Sequence, residues 1–224
     1  MRKTISILVL TACLGWPSHQ IVNAAEATKY RRIALPAPVE FSAYSVEEAI
    51  AARRSIRRFV DRPLGDNVVS RLLWSAQGIT DENRFLRAAP SAGATYPLEL
   101  YLVDHRGVFR YVPADHQLEQ IASDDRRAVL AQAALGQEMI RQASISLVIT
   151  AVPERTAARY GKERAERYVH MEAGHAAQNI HLQAVVLELG SVPVGAFHDQ
   201  EVQKVLGIRK DHEPLYIIPV GKPR

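Results

Sequence analysis

The stretch Leu98-Glu99-Leu100-Tyr101-Leu102-Val103-Asp104-His105-Arg106-Gly107-Val108-Phe109-Arg110-Tyr111-Val112 decides the fold class. Leu98 to Val103 reads as an alternating strand, Asp104 to Gly107 as a turn, and Val108 to Val112 as the return strand, so the segment predicts a β-hairpin. Working outward, the apolar run 144–152 predicts a central strand and 214–220 a last one. Ser45-Val46-Glu47-Glu48 is a capping box opening a helix through about Arg53. Asp66 starts a second helix, with Val68, Val69, Leu72, Leu73 and Ala76 on one face and Gly78 as its stop. Helical stretches are expected at about 116–122, 124–134 and 136–142, and a short helix at 199–206. The longest helix is expected over 164–189, with Gly190 past its end and a face of small residues (Ala173, Ala176, Ala177, Ala184) that permits close packing. Helices and strands intersperse without a βαβ rhythm, which predicts an α+β fold.

The 224 residues are 47% hydrophobic and 23% charged, the balance of a globular domain. A net charge of +4 is spread along the chain and aromatics are only 7%, so no basic, aromatic-interleaved tract suits a nucleic acid. Met1-Arg2-Lys3, the apolar run from Ile5 to Trp16 and Val22-Asn23-Ala24 follow the order of a secretory leader. Residues 1–24 are therefore expected to be a signal peptide directing export, to a bacterial periplasm, with cleavage after Ala24. Leu10-Thr11-Ala12-Cys13 offers the alternative of a lipoprotein anchored through Cys13, the one route by which this chain would meet a membrane. Residues 25–44, with Pro36 and Pro38, read as an extended arm, and 45–224 as the functional domain. Cys13 is the single cysteine, so the domain has no disulfide and no thiol chemistry.

Three segments carry candidate chemistry. Arg53-Arg54-Ser55-Ile56-Arg57 holds three guanidiniums and a hydroxyl, and guanidinium forks match phosphate oxygens. By residue type alone, Arg53 and Arg54 also suit a basic helix end that complements the C-terminal dipole. Ala89-Pro90-Ser91-Ala92-Gly93-Ala94-Thr95-Tyr96-Pro97 and Ser191-Val192-Pro193-Val194-Gly195-Ala196-Phe197 are turns of small residues that let backbone approach a planar ligand. Gly-x-Gly-x-x-Gly does not occur, which argues against a dinucleotide-binding domain; Gly-x-Ser-x-Gly is absent too, against a hydrolase elbow. His170, His175 and His181 share the long helix with Glu172, but their spacings place them on different faces, so no metal site is expected. His116 is a further histidine expected to approach the site.

Taken in order, these segments resemble the nitroreductase superfamily, in its SagB/ThcOx (thiazole/oxazole-forming peptide dehydrogenase) branch. The likeness covers about residues 45–221. It rests on Arg53 to Phe59, Ser91 to Glu99, Glu172-Ala173-Gly174-His175-Ala176-Ala177-Gln178-Asn179, Val192 to Phe197 and Glu213 to Gly221. The resemblance implies a mostly antiparallel sheet flanked by helices, in a homodimer that holds flavin mononucleotide (FMN) between subunits. It assigns phosphate and ribityl contacts to Arg53, Arg54, Ser55 and Arg57. Ser91, Ala92, Gly93 and Ala94 would approach the ring from the partner subunit, and Gly195 and Ala196 would line its reactive edge. Lys222 and Arg224 resemble a Lys-x-Arg phosphate clamp. The implied activity is hydride transfer through flavin N5 by a ping-pong mechanism on a small-molecule or peptide substrate. Azoline-oxidising members carry a Lys-Tyr pair before the long helix, where this chain has Arg159-Tyr160. A guanidinium stays protonated and cannot act as a base, so these two residues are expected to contact substrate instead. The alternative reading is a non-catalytic flavin- or partner-binding module on the same dimeric fold; a flavin-free metal protein using the helix histidines is a third.

Overall fold

The computed structural model describes residues 30–38 and 42–224. The expected leader, with Cys13 and the cleavage point after Ala24, lies outside the described residues. In chain order the elements are β1 (Arg31–Ala34), α1 (Val46–Ala52), α2 (Asp66–Gln77), β2 (Ile79–Asp81), β3 (Leu86–Arg87), a 3-10 turn (Ala92–Ala94), β4 (Leu98–Asp104), β5 (Gly107–Val112), β6 (Gln117–Ala122), α3 (Arg127–Ala133), α4 (Glu138–Gln142), β7 (Ile145–Ala151), α5 (Glu154–Tyr160), α6 (Lys162–Val186), β8 (Gly190–Ser191), α7 (Asp199–Leu206) and β9 (Glu213–Gly221).

Seven strands form one sheet in the order β1-β6-β5-β4-β7-β9-β8, and every neighbouring pair is antiparallel. The expected hairpin is there, Asp104 pairing with Gly107 at its turn. Strand alternation splits the core in two. Leu98, Leu100 and Leu102 of β4, with Leu147 and Ile149 of β7, pack against Val69, Leu72 and Leu73 of α2 and Ala173, Ala176 and Ile180 of α6. Tyr101, Val103, Val148 and Ile217 face the other way, onto Leu130 of α3, Ile140 of α4 and Val202 and Leu206 of α7. The sheet is thus covered on both faces, and each fully buried Leu or Ile contributes about 1.5–3 kcal/mol.

The helix starts and stops follow local chemistry. Ser45 Oγ accepts from the Glu48 N–H at 3.1 Å while Glu48 Oε2 accepts from the Ser45 N–H at 2.7 Å, closing the capping box. Gly78 caps α2 as expected. The small-residue face of α6 is buried, as expected, although the helix runs Lys162–Val186 and is separated from α5 by Gly161.

One expected helix is a strand. Gln117–Ala122 is β6, paired with β5 on one side and β1 on the other. Its Glu119 is buried because Arg110, at 2.6 Å, and Arg32, at 3.1 Å, neutralise it from the two flanking strands. Those partners lie far away or on the other side of a turn in sequence, so the local pattern misleads. The arm residues 31–34 are extended and add the edge strand.

Candidate active site

After α1 the chain runs extended along the sheet edge. The Ile56 N–H donates to the Ser191 carbonyl at 3.0 Å, and Ser55 pairs with Ser191 in a parallel bridge. Gly190 permits this approach: a Cβ there would lie 2.7 Å from two side-chain carbons of Ile56. Phe59, buried, bridges Pro223; the Val60 N–H donates to the Lys222 carbonyl at 3.0 Å and the Arg224 N–H to the Arg58 carbonyl at 3.1 Å. Three segments distant in sequence, 53–60, 190–194 and 222–224, are thereby knitted into one edge. Beside it is a cleft of about 400 Å³ lined by Arg57, Arg58, Arg224, Glu138, Met139 and Gln142.

The guanidiniums at this edge differ from those that hold the sheet and helices together. Arg106, Arg110 and Arg127 are each paired with carboxylates. Among the described residues, Arg53, Arg57, Arg58 and Arg224 form no ion pair with a carboxylate. Arg54 turns back to the carbonyls of Ala51 (3.0 Å) and Arg53 (2.7 Å), which is the helix-end role. The Lys222 ammonium lies near Glu188, 3.4 Å from its carbonyl and 3.6 Å from its carboxylate. Behind the edge, His181 of α6 is buried with Nδ1 2.7 Å from Ser191 Oγ and Nε2 without a partner. Burial first, and the nearby Arg53 charge second, push the imidazole down to about 4, so it is neutral.

The Ser91–Ala94 turn lies elsewhere. Gly93 has φ +58, and a Cβ there would come 2.5 Å from the Tyr160 hydroxyl and 2.9 Å from Arg159 Nε, so both conformation and space require glycine. Arg159 Nη1 donates to the Gly93 carbonyl at 3.3 Å, and Thr95 and Thr156 hydroxyls meet at 2.9 Å. The turn and the Arg159-Tyr160 pair, singled out separately in the sequence, are therefore one unit. Within it the Ser91 hydroxyl accepts the Tyr96 N–H at 3.0 Å. Arg87 lies 4.5 Å over the Tyr96 ring and donates to Gln77 Oε1 at 2.9 Å. Glu172 is 2% exposed, its Oε1 has no partner, and burial pushes the carboxyl up to about 7. Sequence reasoning took Glu172 as part of a motif and weighed it with His175 as a metal pair; the usable signal was an acid set into the small-residue face of a helix.

Strand register separates these two groups. Leu98, where β4 leaves the turn, is level with Ala151 and Glu213, whereas Ser191 is level with Val220. Along β9 that is about 23 Å. Gly195 and Ala196 stand between, after Val194 pairs in both directions with Ile217 (2.8 and 3.0 Å). Gly195 faces open space and borders a cleft of about 330 Å³ with His170, Phe197 and Tyr216.

One other expectation resolves differently. His116 does not serve this site: Nδ1 meets the Tyr111 hydroxyl at 2.8 Å, and Nε2 lies 2.8 Å from Ser70 Oγ and 3.0 Å from the Pro36 carbonyl, pinning the arm to the sheet. Of the α6 histidines, His170 and His175 are exposed and His181 is committed to Ser191. Among the described residues no group of three or more His, Cys, Asp or Glu could hold a metal ion, and no helix is long and apolar enough to cross a membrane.

This architecture has clear relatives. A Methanocaldococcus jannaschii protein that carries a nitroreductase name is 44% identical over 183 residues, covering 79% of this chain and 90% of its own. The trifolitoxin operon protein TfxC of Rhizobium leguminosarum bv. trifolii is 25% identical over 202 residues, covering 81% of this chain and 56% of its own. The crystal structure of a Ralstonia eutropha JMP134 protein, also named as a nitroreductase, superimposes with a TM-score of 0.79 at 27% identity, over 87% of this chain and 90% of that one. The nitroreductase family model matches residues 50–222, which span both the arginine edge and the glycine turns. With that match and the shared sheet and helix layers, the chain belongs to the nitroreductase family.

Proposed function

We propose that this member of an oxidoreductase family is an FMN-dependent enzyme that transfers hydride between a donor and an acceptor by a ping-pong mechanism. The observation that carries the reading is the knitted edge, where guanidiniums without carboxylate partners gather at a cleft while backbone at Gly195 faces open space. An anion of phosphate type is what such a cluster lacks. FMN bound there would supply hydride exchange at N5, and the protein supplies binding and orientation. Arg57, Arg58 and Arg224 border the cleft and would hold the phosphate, Arg53 and Ser55 stand next along the chain for the ribityl groups, and Gly195-Ala196 would border the reactive edge. Because Leu98, where the chain leaves the Ser91–Ala94 turn, is about 23 Å from Ser191 along the sheet, we assign the turn, with Arg159 and Tyr160, to the cofactor held by a second copy of the chain. That is the basis for a homodimer.

Arg159 stands where azoline-oxidising enzymes place a lysine, and it donates to the Gly93 carbonyl. It acts as a clamp on the turn and a substrate contact, so the reaction we propose is not azoline oxidation. Membership of the SagB/ThcOx branch is our proposal from the sequence motifs. Export to a periplasm, or anchoring through Cys13, is likewise our proposal from the N-terminal sequence.

The test is a titration of the purified protein with FMN, followed by anaerobic mixing with NADH or NADPH. A bound-flavin spectrum that donor bleaches is expected. Absence of any bound flavin would sink the reading, and a flavin band that no donor bleaches favours a binding module. Arg57→Glu should weaken FMN binding about 10–100-fold, the worth of one charge-assisted hydrogen bond.

A further inference from the structure

Arg57, Arg58 and Arg224 line one cleft, and the only carboxylate beside them, Glu138, is paired with Arg141. Like charges held this close repel, so some part of the fold must oppose their separation. The backbone that carries them is lightly held. Residues 53–60 belong to no helix or strand. Ser55 makes a single parallel bridge to Ser191, and the Ile56 N–H donates to the Ser191 carbonyl at 3.0 Å. Ser191 in turn closes β8, a strand of two residues.

One side chain ties Ser191 to the interior. His181, 5% exposed on α6, places Nδ1 2.7 Å from Ser191 Oγ. The bond has a direction. If Nδ1 carried the hydrogen, the Nε2 lone pair and the serine hydrogen would both be stranded inside the protein. With the hydroxyl donating to Nδ1, only the Nε2–H is left over. That arrangement needs a neutral imidazole, which burial maintains.

We propose that His181 is the positioning residue of the arginine edge: by holding the Ser191 hydroxyl it fixes the Ser191 carbonyl on Ile56, and with it the backbone that presents Arg53, Ser55 and Arg57 to an anion. The lever is short, since one backbone hydrogen bond separates Ser191 from Ile56. Gly190 lets the two segments pack this closely, a Cβ there lying 2.7 Å from Ile56 side-chain carbons. The anchor is firm, because α6 sets Ala173, Ala176, Ala177, Ile180 and Ala184 into the core on either side of His181.

That the anion is the phosphate of FMN rests on the flavin reading, and the test keeps the two apart. His181→Leu fills the space and loses the bond. His181→Asn keeps a polar group where Nδ1 stood but leaves a smaller side chain. FMN should bind about tenfold more weakly to His181→Leu, the worth of one hydrogen bond, and nearly as to the wild type in His181→Asn. Chemical denaturation should rank the pair the other way, with His181→Asn the less stable; a merely structural histidine would make affinity follow stability. Without flavin, hydrogen-exchange protection of the Ile56 amide should fall about tenfold in His181→Leu and return in His181→Asn. Ser191→Ala removes the same bond from its other end and serves if His181→Leu fails to fold. It should reproduce the loss, and adding it to His181→Leu should weaken binding little further. Wild-type affinity and Ile56 protection in both His181→Leu and Ser191→Ala, or affinity that tracks stability through the set, overturns the proposal. If Ile56 protection follows the bond but FMN binds to no form, the positioning role stands and the flavin reading fails.

Discussion

Helix α6 carries a buried titratable group at each of two sites, and the two are built alike. The side chains of Glu172 and His181 are both buried and each keeps one atom without a partner, while His181 Nδ1 also meets the Ser191 hydroxyl. Nine residues separate them, about 14 Å along the axis and half a turn out of phase. They therefore serve opposite faces of the helix, one under the glycine turn and the other behind the arginine edge. Desolvation drives both toward the neutral form, raising the acid and lowering the base. At Glu172 the Ser91 hydroxyl and then Arg87 work against burial, which still raises the acid to about 7, whereas at His181 Arg53 works with burial, which lowers the base to about 4. One end of the helix is thus switchable near neutral pH and the other is locked neutral beside the guanidiniums.

The strongest way to break this comparison is to remove a side chain. His181→Ala should cost about 3 kcal/mol, from the cavity and the stranded Ser191 hydroxyl, and should weaken FMN binding at the adjoining edge. Glu172→Gln should change stability little at acid pH. Chemical denaturation and flavin titration of both variants would check the contrast; equal costs would mean the two ends do not differ.

Next in size is the pH dependence. The raised acid holds a proton in the folded state that the unfolded chain has released, so its stabilisation is present below about 4.5 and is lost as pH rises toward about 7. The lowered base is neutral in the folded state while the unfolded chain is protonated, so its contribution is present above 6.5 and is lost as pH falls toward about 4. Between 4.5 and 6.5 the two slopes oppose. Denaturation across that window should show a shallow dependence for this pair in the wild type. Glu172→Gln should unmask a fall in stability toward acid of a few kcal/mol, and His181→Gln a fall toward neutral pH.

Smaller effects sharpen the picture. Gly93→Ala should cost about 1–2 kcal/mol in thermal or denaturant unfolding, from the left-handed backbone and the displaced Tyr160 and Arg159. Smallest are the hydroxyl deletions, each about 1 kcal/mol. Ser191→Ala strands a histidine with both nitrogens unpartnered, and Ser91→Ala strands the Tyr96 N–H.

Much of this molecule was legible residue by residue. The capping box at Ser45, the stop at Gly78, the 98–112 hairpin, the apolar strand at 145–151 and α7 all depend on neighbours within a few positions. Gln117–Ala122 was not legible, because Glu119 is neutralised by Arg32 and Arg110 across strand pairs. At the site, residue types pointed to the arginine run and the two glycine turns. They did not show Glu172 as a buried acid, because desolvation belongs to the surroundings and not to the letter.

By itself, the sequence determined an α+β domain, its family and the segments that suit an anionic, planar cofactor, since caps, periodicity and guanidinium chemistry are local properties. Tertiary structure alone decided that 53–60, 190–194 and 222–224 share one edge and that Leu98, where the chain leaves the 91–94 turn, is about 23 Å along the sheet from Ser191. It also decided that Arg159 clamps Gly93 and that α6 buries an acid and a base, each driven toward its neutral form. Strand order and burial set those facts, and both depend on residues far apart in the chain.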